Sequence, residues 1–241
     1  MFSNTLLQIK TYFRNLSFMA TETEKDIHDL LEKKDVGKVL NMMEEHDIEV
    51  DNAISEYNPQ THKVMRREDK WVKGEKPYKT EKLPRTRQQY INEVELFFLF
   101  GNPLLWKKIK GEDEAFELFK QYLKDIYFNS KIRQCKRLAG AETESALVFH
   151  FYQENGELKA IPVVIARSEK YKMRVLFDQY KRMQAFAFGY TIVKGSKSVE
   201  CWDILTADFN YHCERVFLGW IVNQHPNPTG RINGCLLYTS P

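Results

Sequence analysis

The spacing of apolar residues predicts a strong amphipathic helix in the first half of the chain. Its apolar positions recur at helical intervals and are Tyr90, Ile91, Val94, Phe97 and Phe98. Residues spaced in this way share one face of an α-helix. Gly101 can adopt the left-handed conformation of a helix end, and Pro103 cannot continue the helix. We therefore expect a helix with a buried aromatic face, in which truncating Phe97 or Phe98 to Ala costs roughly 3–5 kcal/mol.

Further helical patterns lie on both sides of this helix. Residues 23–57 divide into short helical pieces, with Asp35 as an N-cap between the first two. Residues 111–128 predict a helix with an acidic first turn, which the helix dipole favours. Its predicted buried residues are Ala115, Leu118, Phe119, Tyr122, Leu123 and Ile126. Residues 131–139 predict another helix, in which Cys135 is a small buried residue and Gly140 marks the end.

The apolar period changes to that of β-strands after Ser145. Asn155-Gly156 separates two apolar runs and is a strong signal for a two-residue hairpin turn. The predicted strands are 147–152, 158–166, 174–178, 181–193 and 198–205, with shorter ones near Tyr211 and Phe217. The predicted fold class is α+β, with N-terminal helices followed by a meandering antiparallel β-sheet.

Composition limits the function without defining it. The chain has 241 residues, of which 43% are hydrophobic and 29% charged, which is enough for one or two folded domains. The net charge of +3 favours neither nucleic acid nor membrane. The cysteines are scattered, as expected for reduced thiols in a cytosolic product. Lys10 and Arg14 interrupt the apolar pattern of the opening residues, so we expect no membrane anchor there.

The segment 63–87 is the most basic part of the chain. It carries ten Lys or Arg residues against four acidic ones, and Gly74 and Pro77 punctuate it. This pattern predicts an exposed loop. One hypothesis is a phosphate-contacting surface for nucleic acid, and its candidate residues are Lys63, Arg66, Arg67 and Lys70. The alternative, which we favour, is a solvated connector or a contact between subunits, because no recognisable nucleic-acid-binding module accompanies it.

Two patterns invite an enzymatic interpretation, and we assign neither. Glu157 and Lys159 have the E-x-K form of metal-dependent nucleases, in which a carboxylate holds the metal, but the required upstream Asp is not evident. Cys201, His212 and Cys213 are potential zinc ligands by residue type. We reject that set because adjacent residues of a strand point to opposite faces. The sequence therefore predicts no catalytic residue, no metal site and no cofactor.

One ordered set of motifs resembles the portal proteins of tailed bacteriophages. The central motifs are Leu83-Pro84, Gln88-Gln89, Ile91-Asn92 and the run from Phe98 to Pro103. Further motifs in the same order are Tyr57-Asn58-Pro59, Phe177-Asp178 and Trp202 to Asp208. The resemblance extends over roughly residues 30–233.

The resemblance implies a structural role rather than an enzymatic one. Portal proteins form a dodecameric ring at one capsid vertex, through which double-stranded DNA is packaged and ejected. The implied partners are further copies of the chain, the terminase, and capsid and head-completion proteins. The implied location is the virion, and the host cytoplasm during assembly.

The resemblance also suggests how the chain is divided. The predicted segments are an N-terminal arm (1–22), of which residues 1–18 read as upstream translation, a small helical segment (23–62), the basic loop (63–87), a helical part of the portal wing (88–142), an antiparallel β part of the wing (143–233) and a non-native tail (234–241). The family's stem, clip and crown should follow Ile232. We therefore expect a truncated portal protein that gives monomers or loose aggregates rather than a closed ring.

Overall fold

Helices precede strands in the order of elements along the chain. The computed structural model describes residues 21–69, 81–227, 232 and 234–238, and within them the chain forms six α-helices, a short 3₁₀ helix and eight strands. The helices are α1 Thr21–Glu32, α2 Val36–Met42, α3 Asp47–Tyr57, the 3₁₀ helix Lys63–Arg66, α4 Arg87–Phe100, α5 Asp113–Asp125 and α6 Phe128–Glu142. The strands are β1 Glu144–Glu154, β2 Glu157–Ile165, β3 Lys172–Phe177, β4 Met183–Lys194, β5 Lys197–Leu205, β6 Phe209–Val216, β7 Gly219–Pro226 and β8 Gly234–Tyr238.

The predicted α+β class is confirmed, with all strand pairs antiparallel. Strands β3-β4-β5-β6-β7 form the predicted antiparallel meander, and β2-β1-β8 form a second, separate sheet. Strand β3 pairs on one edge with β4, and on the other edge Val175 bridges Glu44. The second edge of β3 is thus partly occupied by the chain after α2, which leaves no continuous meander from β2 into β3.

The chain divides into two compact units that we name by their main content. The sheet unit comprises residues 1–45 and 172–233, and the helical unit comprises 46–171 and 234–241. The predicted arm at 1–22 lies almost wholly outside the described residues. Of the predicted tail, only 234–238 is described, as strand β8 paired with β1.

The sheet unit has its core between α1, α2 and one face of the five-stranded sheet. The buried core residues include Ile27, Leu31, Val36, Val39, Leu40, Met43, Ala185, Ala187, Trp202, Ile204, Tyr211 and Cys213. Asp35 caps α2 as predicted, because its side chain accepts a hydrogen bond from the Lys38 backbone N–H.

Gly189 faces the Trp202 ring on the neighbouring strand, and a Cβ there would lie 2.6 Å from Trp202 Cε2. A glycine at this position therefore lets the indole lie flat against β4.

The helical unit has its core between α6 and the β1–β2 hairpin. Cys135 packs with Leu147 and Val164 and is fully buried, as predicted. The hairpin turn is also confirmed: Asn155 and Gly156 have φ values of 53° and 81°, the left-handed pair that a type I′ turn requires.

The predicted end of α6 at Gly140 is wrong, since the helix continues to Glu142. Gly140 instead lies where α4 approaches most closely, and a Cβ on it would be 2.0 Å from Asn92 Oδ1. Asn92 donates from Nδ2 to the Arg137 carbonyl (2.9 Å) and to the Tyr57 hydroxyl (3.1 Å). The glycine is therefore explained by helix packing rather than by helix termination.

The predicted burial of α4 is also wrong. The helix ends at Phe100 and Gly101 caps it, but with an ordinary helical φ of −61°. Its buried residues are Asn92 and Leu96, whereas Tyr90, Ile91, Phe97 and Phe98 are exposed. The face that packs inward is anchored by the polar contacts of Asn92, which an apolar pattern does not detect. Because Phe97 and Phe98 are exposed, truncating either to Ala is no longer expected to lower the free energy of unfolding by about 3–5 kcal/mol.

Helix α5 departs from its prediction in the same way. None of its residues is buried, and Leu118 and Phe119 are exposed. Tyr122 does face inward, where its hydroxyl accepts a hydrogen bond from the Ala160 backbone N–H at 2.7 Å. The helix is therefore attached to β2 mainly by its C-terminal half.

Candidate interaction surfaces

The aromatic face of α4 is an exposed apolar surface on the helical unit. Phe97 is 70% exposed and Phe98 is 80% exposed, and the two rings meet edge to face with centroids 5.8 Å apart. Tyr90, Ile91 and Leu99 extend the exposed surface along the helix. Isolated exposed apolar residues are ordinary, but a contiguous group of aromatic ones marks an interaction site. We call this group the α4 face.

The chain after α4 adds more exposed apolar residues in the same unit. Leu105 and Ile109 lie in the connection to α5 and are almost fully exposed. Trp106 in that connection contacts the rings of Phe119 and Phe128, at 5.8 Å in each case. The connection is thus fixed by one aromatic anchor while its neighbouring apolar side chains face solvent.

The opposite side of α4 is held by polar contacts. Besides the bonds of Asn92, Gln88 Nε2 donates to the Gly140 carbonyl at 3.1 Å, and Lys136 forms an ion pair with Glu95 at 2.8 Å. These contacts fix the rotation of α4 about its axis. The aromatic residues therefore face outward because these contacts hold α4 in one orientation, and not because the helix is loosely attached.

An open cleft of about 820 Å³ lies beside these contacts, between α3, α4 and the end of α6. His46 Nδ1 lies 3.0 Å from Glu144 Oε2 at one end of the cleft, and Glu144 is buried. Burial raises the pKa of Glu144, and the contact with His46 partly opposes that shift. His46 directly precedes α3 and Glu144 begins β1, so we interpret the pair as a structural contact between these two elements.

Glu142 is a second buried carboxyl in the helical unit. It accepts hydrogen bonds from the backbone N–H groups of Arg167 (2.7 Å) and Ser168 (3.2 Å). Burial raises the pKa of Glu142 despite these bonds. The carboxyl therefore closes the turn after β2 by accepting two backbone donors, while burial disfavours its charged form.

Three of the four predicted phosphate-contacting residues lie in the described part of the basic segment. Arg66 and Arg67 are exposed at the end of the 3₁₀ helix, and Lys63 begins that helix. The Lys63 ammonium pairs with Glu56, and this hydrogen bond holds the pKa of Glu56 below its ordinary value. Arg66 lies 3.5 Å from the Ser55 hydroxyl. Lys70 lies outside the described residues.

The E-x-K tripeptide lies at the start of β2, directly after the hairpin turn. Lys159 forms an ion pair with Glu154 across the hairpin at 2.6 Å. The backbone of Glu157 pairs with that of Glu154, while the side chain of Glu157 lies outside the described part of the structure. The geometry of Lys159 is that of an ordinary cross-strand ion pair.

The five-stranded sheet brings together a polar group that the sequence did not reveal. His212 lies opposite Asp203, and its Nδ1 is 2.6 Å from Asp203 Oδ1. Its Nε2 is 3.2 Å from Glu214 Oε1, and Cys201 is the strand partner of Glu214. Burial opposes protonation of His212, but its bonds to both carboxylates outweigh burial and raise its pKa.

Cys213 lies on the other face of the sheet, in the core with α1 and α2. This agrees with the prediction that adjacent residues of a strand point to opposite faces. Burial raises the pKa of its thiol to about 12. The rejected set of Cys201, His212 and Cys213 is therefore not assembled. The signal in the sequence was the two-residue spacing of Cys201 with Asp203 and of His212 with Glu214, which places each pair on one face of its strand. The register of β5 with β6 then brings the two pairs together.

Comparison with known proteins adds no assignment. The chain matches no protein-family model, and no curated protein matches it. Among the described residues, no helix combines the length and apolar character needed to cross a bilayer.

Proposed function

We propose that this chain is a subunit of the portal ring of a tailed bacteriophage, with a structural and not an enzymatic role. The ring is the passage for double-stranded DNA during packaging and ejection. Its partners are other copies of the chain, the terminase that supplies ATPase work, and capsid and head-completion proteins. The proposed location is the virion, and the host cytoplasm while the head assembles.

The observation that carries this proposal is the exposure of the α4 face within the motif that resembles portal proteins. The same segment supplies both the run Phe98 to Pro103 and the exposed rings of Phe97 and Phe98. Monomeric proteins rarely expose a contiguous apolar surface, whereas a subunit of a ring can bury it against its neighbour. We therefore assign the α4 face to contact with a second copy of this chain.

The arrangement of α4 supports a permanent surface rather than a helix displaced from its own core. Asn92 and Leu96 are only 3% and 1% exposed, so the inward face is already occupied. Turning the aromatic residues inward would break the Asn92 bonds to Tyr57 and Arg137 and deprive the Arg137 carbonyl of this donor.

The proposal can be tested on phage particles. An antibody raised against this chain, visualised with gold in the electron microscope, should label a single vertex of each head. In the DNA that encodes the chain, genes for a large terminase and a major capsid protein should lie next to it. Uniform labelling of the head, or neighbouring genes for DNA repair or restriction, would contradict the proposal.

The second candidate remains a DNA-binding or metal-dependent nuclease protein that uses the basic segment or Glu157 and Lys159. Its structural support is the exposure of basic residues in the described part of that segment, such as Arg66 and Arg67. The pairing of Lys63 with Glu56 and of Lys159 with Glu154 reduces the charge that these lysines offer to phosphate. We therefore place this candidate second.

A further inference from the structure

We propose that Cys201, His212 and Glu214 form a binding site for a single divalent transition-metal ion of the Zn²⁺ class. The site lies on strands β5 and β6 of the sheet unit, and nothing in the proposed portal role requires it. The thiol, the imidazole and the carboxylate each offer one ligand atom, and these atoms all lie within 4.8 Å of one another.

The distances fit a tetrahedral ion. Zinc bonds of about 2.0–2.3 Å imply separations of roughly 3.3–3.7 Å between ligand atoms. His212 Nε2 and Glu214 Oε1 are already 3.2 Å apart. Because the thiol lies within 4.8 Å of both other ligand atoms, closing the group onto an ion requires it to move by at most about 1 Å, which a change of side-chain torsion provides.

Asp203 orients the imidazole in the way that metal-binding histidines require. Its Oδ1 accepts from His212 Nδ1 at 2.6 Å, which fixes one proton on Nδ1 and directs Nε2 toward Glu214 and Cys201, where a bound ion takes the place of the second imidazole proton. Asp203 is itself held, because its Oδ2 accepts from the Tyr190 hydroxyl at 3.1 Å. Asp203 thus fixes the orientation of the imidazole through Nδ1, while Nε2, beside Glu214, is in position to bind a cation.

Lys194 is the charged group that competes with a metal at this site. Its ammonium lies 2.7 Å from Glu214 Oε1 and 2.8 Å from Oε2. Glu214 has two oxygens, so Oε2 can keep the lysine while Oε1 turns to the ion. In that arrangement Lys194 orients the carboxylate from outside the ligand set, as Asp203 orients the imidazole.

The ligand set and its exposure indicate which ion is held and how it enters. One thiolate, one imidazole and one carboxylate are the mixed set that Zn²⁺ accepts, whereas Mg²⁺ and Ca²⁺ require oxygen ligands. Cys201 is fully buried, but His212 is partly exposed, so an ion reaches the thiol from the imidazole side. With three protein ligands, the fourth position is open to water.

The experiment uses Co²⁺ as a spectroscopic probe and Zn²⁺ as its competitor, on the complete chain under reducing conditions. One equivalent of Co²⁺ should produce the intense near-ultraviolet absorption of a thiolate-bound cobalt, and one equivalent of Zn²⁺ should abolish it. The variants Cys201→Ser and His212→Gln should lose the absorption. The variant Asp203→Asn should keep it with an affinity about 10–100-fold weaker, as expected for a partner that orients a ligand.

Cys213→Ala is the matched control, because Cys213 is equally buried one position from His212 but on the opposite face. It should retain the cobalt absorption. Circular dichroism of each variant checks that it is folded, and Glu214→Gln provides a second ligand variant in case Cys201→Ser does not fold. Absence of the absorption in the parent would overturn the proposal and leave His212 as a proton-sharing bridge between two carboxylates. Loss of the absorption in Cys213→Ala but not in Cys201→Ser would also overturn it.

Discussion

Helices α1 and α4 illustrate two different uses of an amphipathic helix in one chain. In α1, Ile27 and Leu31 are buried against the five-stranded sheet of their own unit. In α4, the stronger aromatic pattern faces solvent, and the helix packs inward through Asn92 and Leu96. Apolar spacing identifies both helices, but it does not distinguish a face covered by the same chain from a face available to another chain. Polar anchors and close-packed glycines make that distinction.

The largest expected effect comes from truncating one side chain in each helix to Ala and comparing the loss of stability. Leu31→Ala in α1 removes a side chain that is 1% exposed and should lower the free energy of unfolding by about 2–5 kcal/mol. Phe97→Ala in α4 removes a larger but exposed ring and should change it by less than about 0.5 kcal/mol. Urea unfolding followed by circular dichroism measures both variants. Equal losses in the two variants would show that α4 is covered within its own chain.

A pair of glycines tests the polar anchoring of α4. Gly140→Ala places a methyl group 2.0 Å from Asn92 Oδ1, so either the Asn92 amide must leave its hydrogen-bond partners or the two helices must separate, at a cost of about 1–3 kcal/mol. Gly37 in α2 is the control, because a Cβ there has no neighbour within 4 Å. Gly37→Ala should stabilise the protein by roughly 0.5–1 kcal/mol through helix propensity. The same unfolding measurement applies, and a stabilising Gly140→Ala would refute the close contact.

The sequence predicted those features that depend on local spacing. The Asp35 cap, the Asn155-Gly156 turn and the burial of Cys135 depend on neighbouring residues and are confirmed. The inward face of α4 was missed because Asn92 is polar and its partners, Tyr57 and Arg137, are distant in sequence. Local spacing contains no information on such long-range hydrogen bonds.

The same limit applies to the candidate sites. Alternation along a strand placed His212 and Cys213 on opposite faces correctly, but it could not show that β5 brings Cys201 to His212 and Glu214. That neighbourhood depends on strand register, which the turn between β5 and β6 determines. Exposure of the α4 face depends in turn on what covers the helix, which no periodicity reveals.

A smaller expected effect is the pH dependence that Glu142, in the helical unit, gives to the free energy of unfolding. Its raised pKa means that the folded chain binds more protons than the unfolded chain between the ordinary Glu pKa and the raised one. Stability from this group is therefore complete below the unfolded pKa and is lost as pH rises through the folded pKa. The loss is about 1.4 kcal/mol for each unit of difference between the two pKa values.

Glu142→Gln removes this titration. As pH rises from about 4 toward neutrality, the free energy of unfolding of the variant should increase relative to that of the parent. Glu144 contributes in the same direction, because its pKa is also raised and Glu142 is one of the causes, so some pH dependence should remain in the variant. Glu114→Gln, on the exposed first turn of α5, is the control and should follow the parent. A constant difference between Glu142→Gln and the parent at all pH values would contradict the raised pKa.

The smallest expected effect concerns DNA binding by the basic segment. At physiological ionic strength we expect weak or no binding of duplex DNA, since Lys63 is exposed but paired with Glu56, and Arg66 and Arg67 are the other described candidates. Fluorescence anisotropy at several salt concentrations measures it, because binding to phosphates weakens steeply as salt rises. Micromolar, salt-dependent binding that is lost when Arg66, Arg67 and Lys70 are replaced by Ala would favour the nucleic-acid function instead.

The most direct test of the account asks what covers the α4 face. Phe98, 80% exposed, can be replaced by p-benzoylphenylalanine, which forms a covalent bond with whatever lies against it on illumination. With the concentrated chain, the account predicts an adduct of twice the chain mass, joined through the helical unit of a second copy. The same substitution at Tyr180, an exposed aromatic residue of the sheet unit, should give little adduct. Cross-links from position 98 only to residues of the same chain, or equal dimer yields from both positions, would contradict the account.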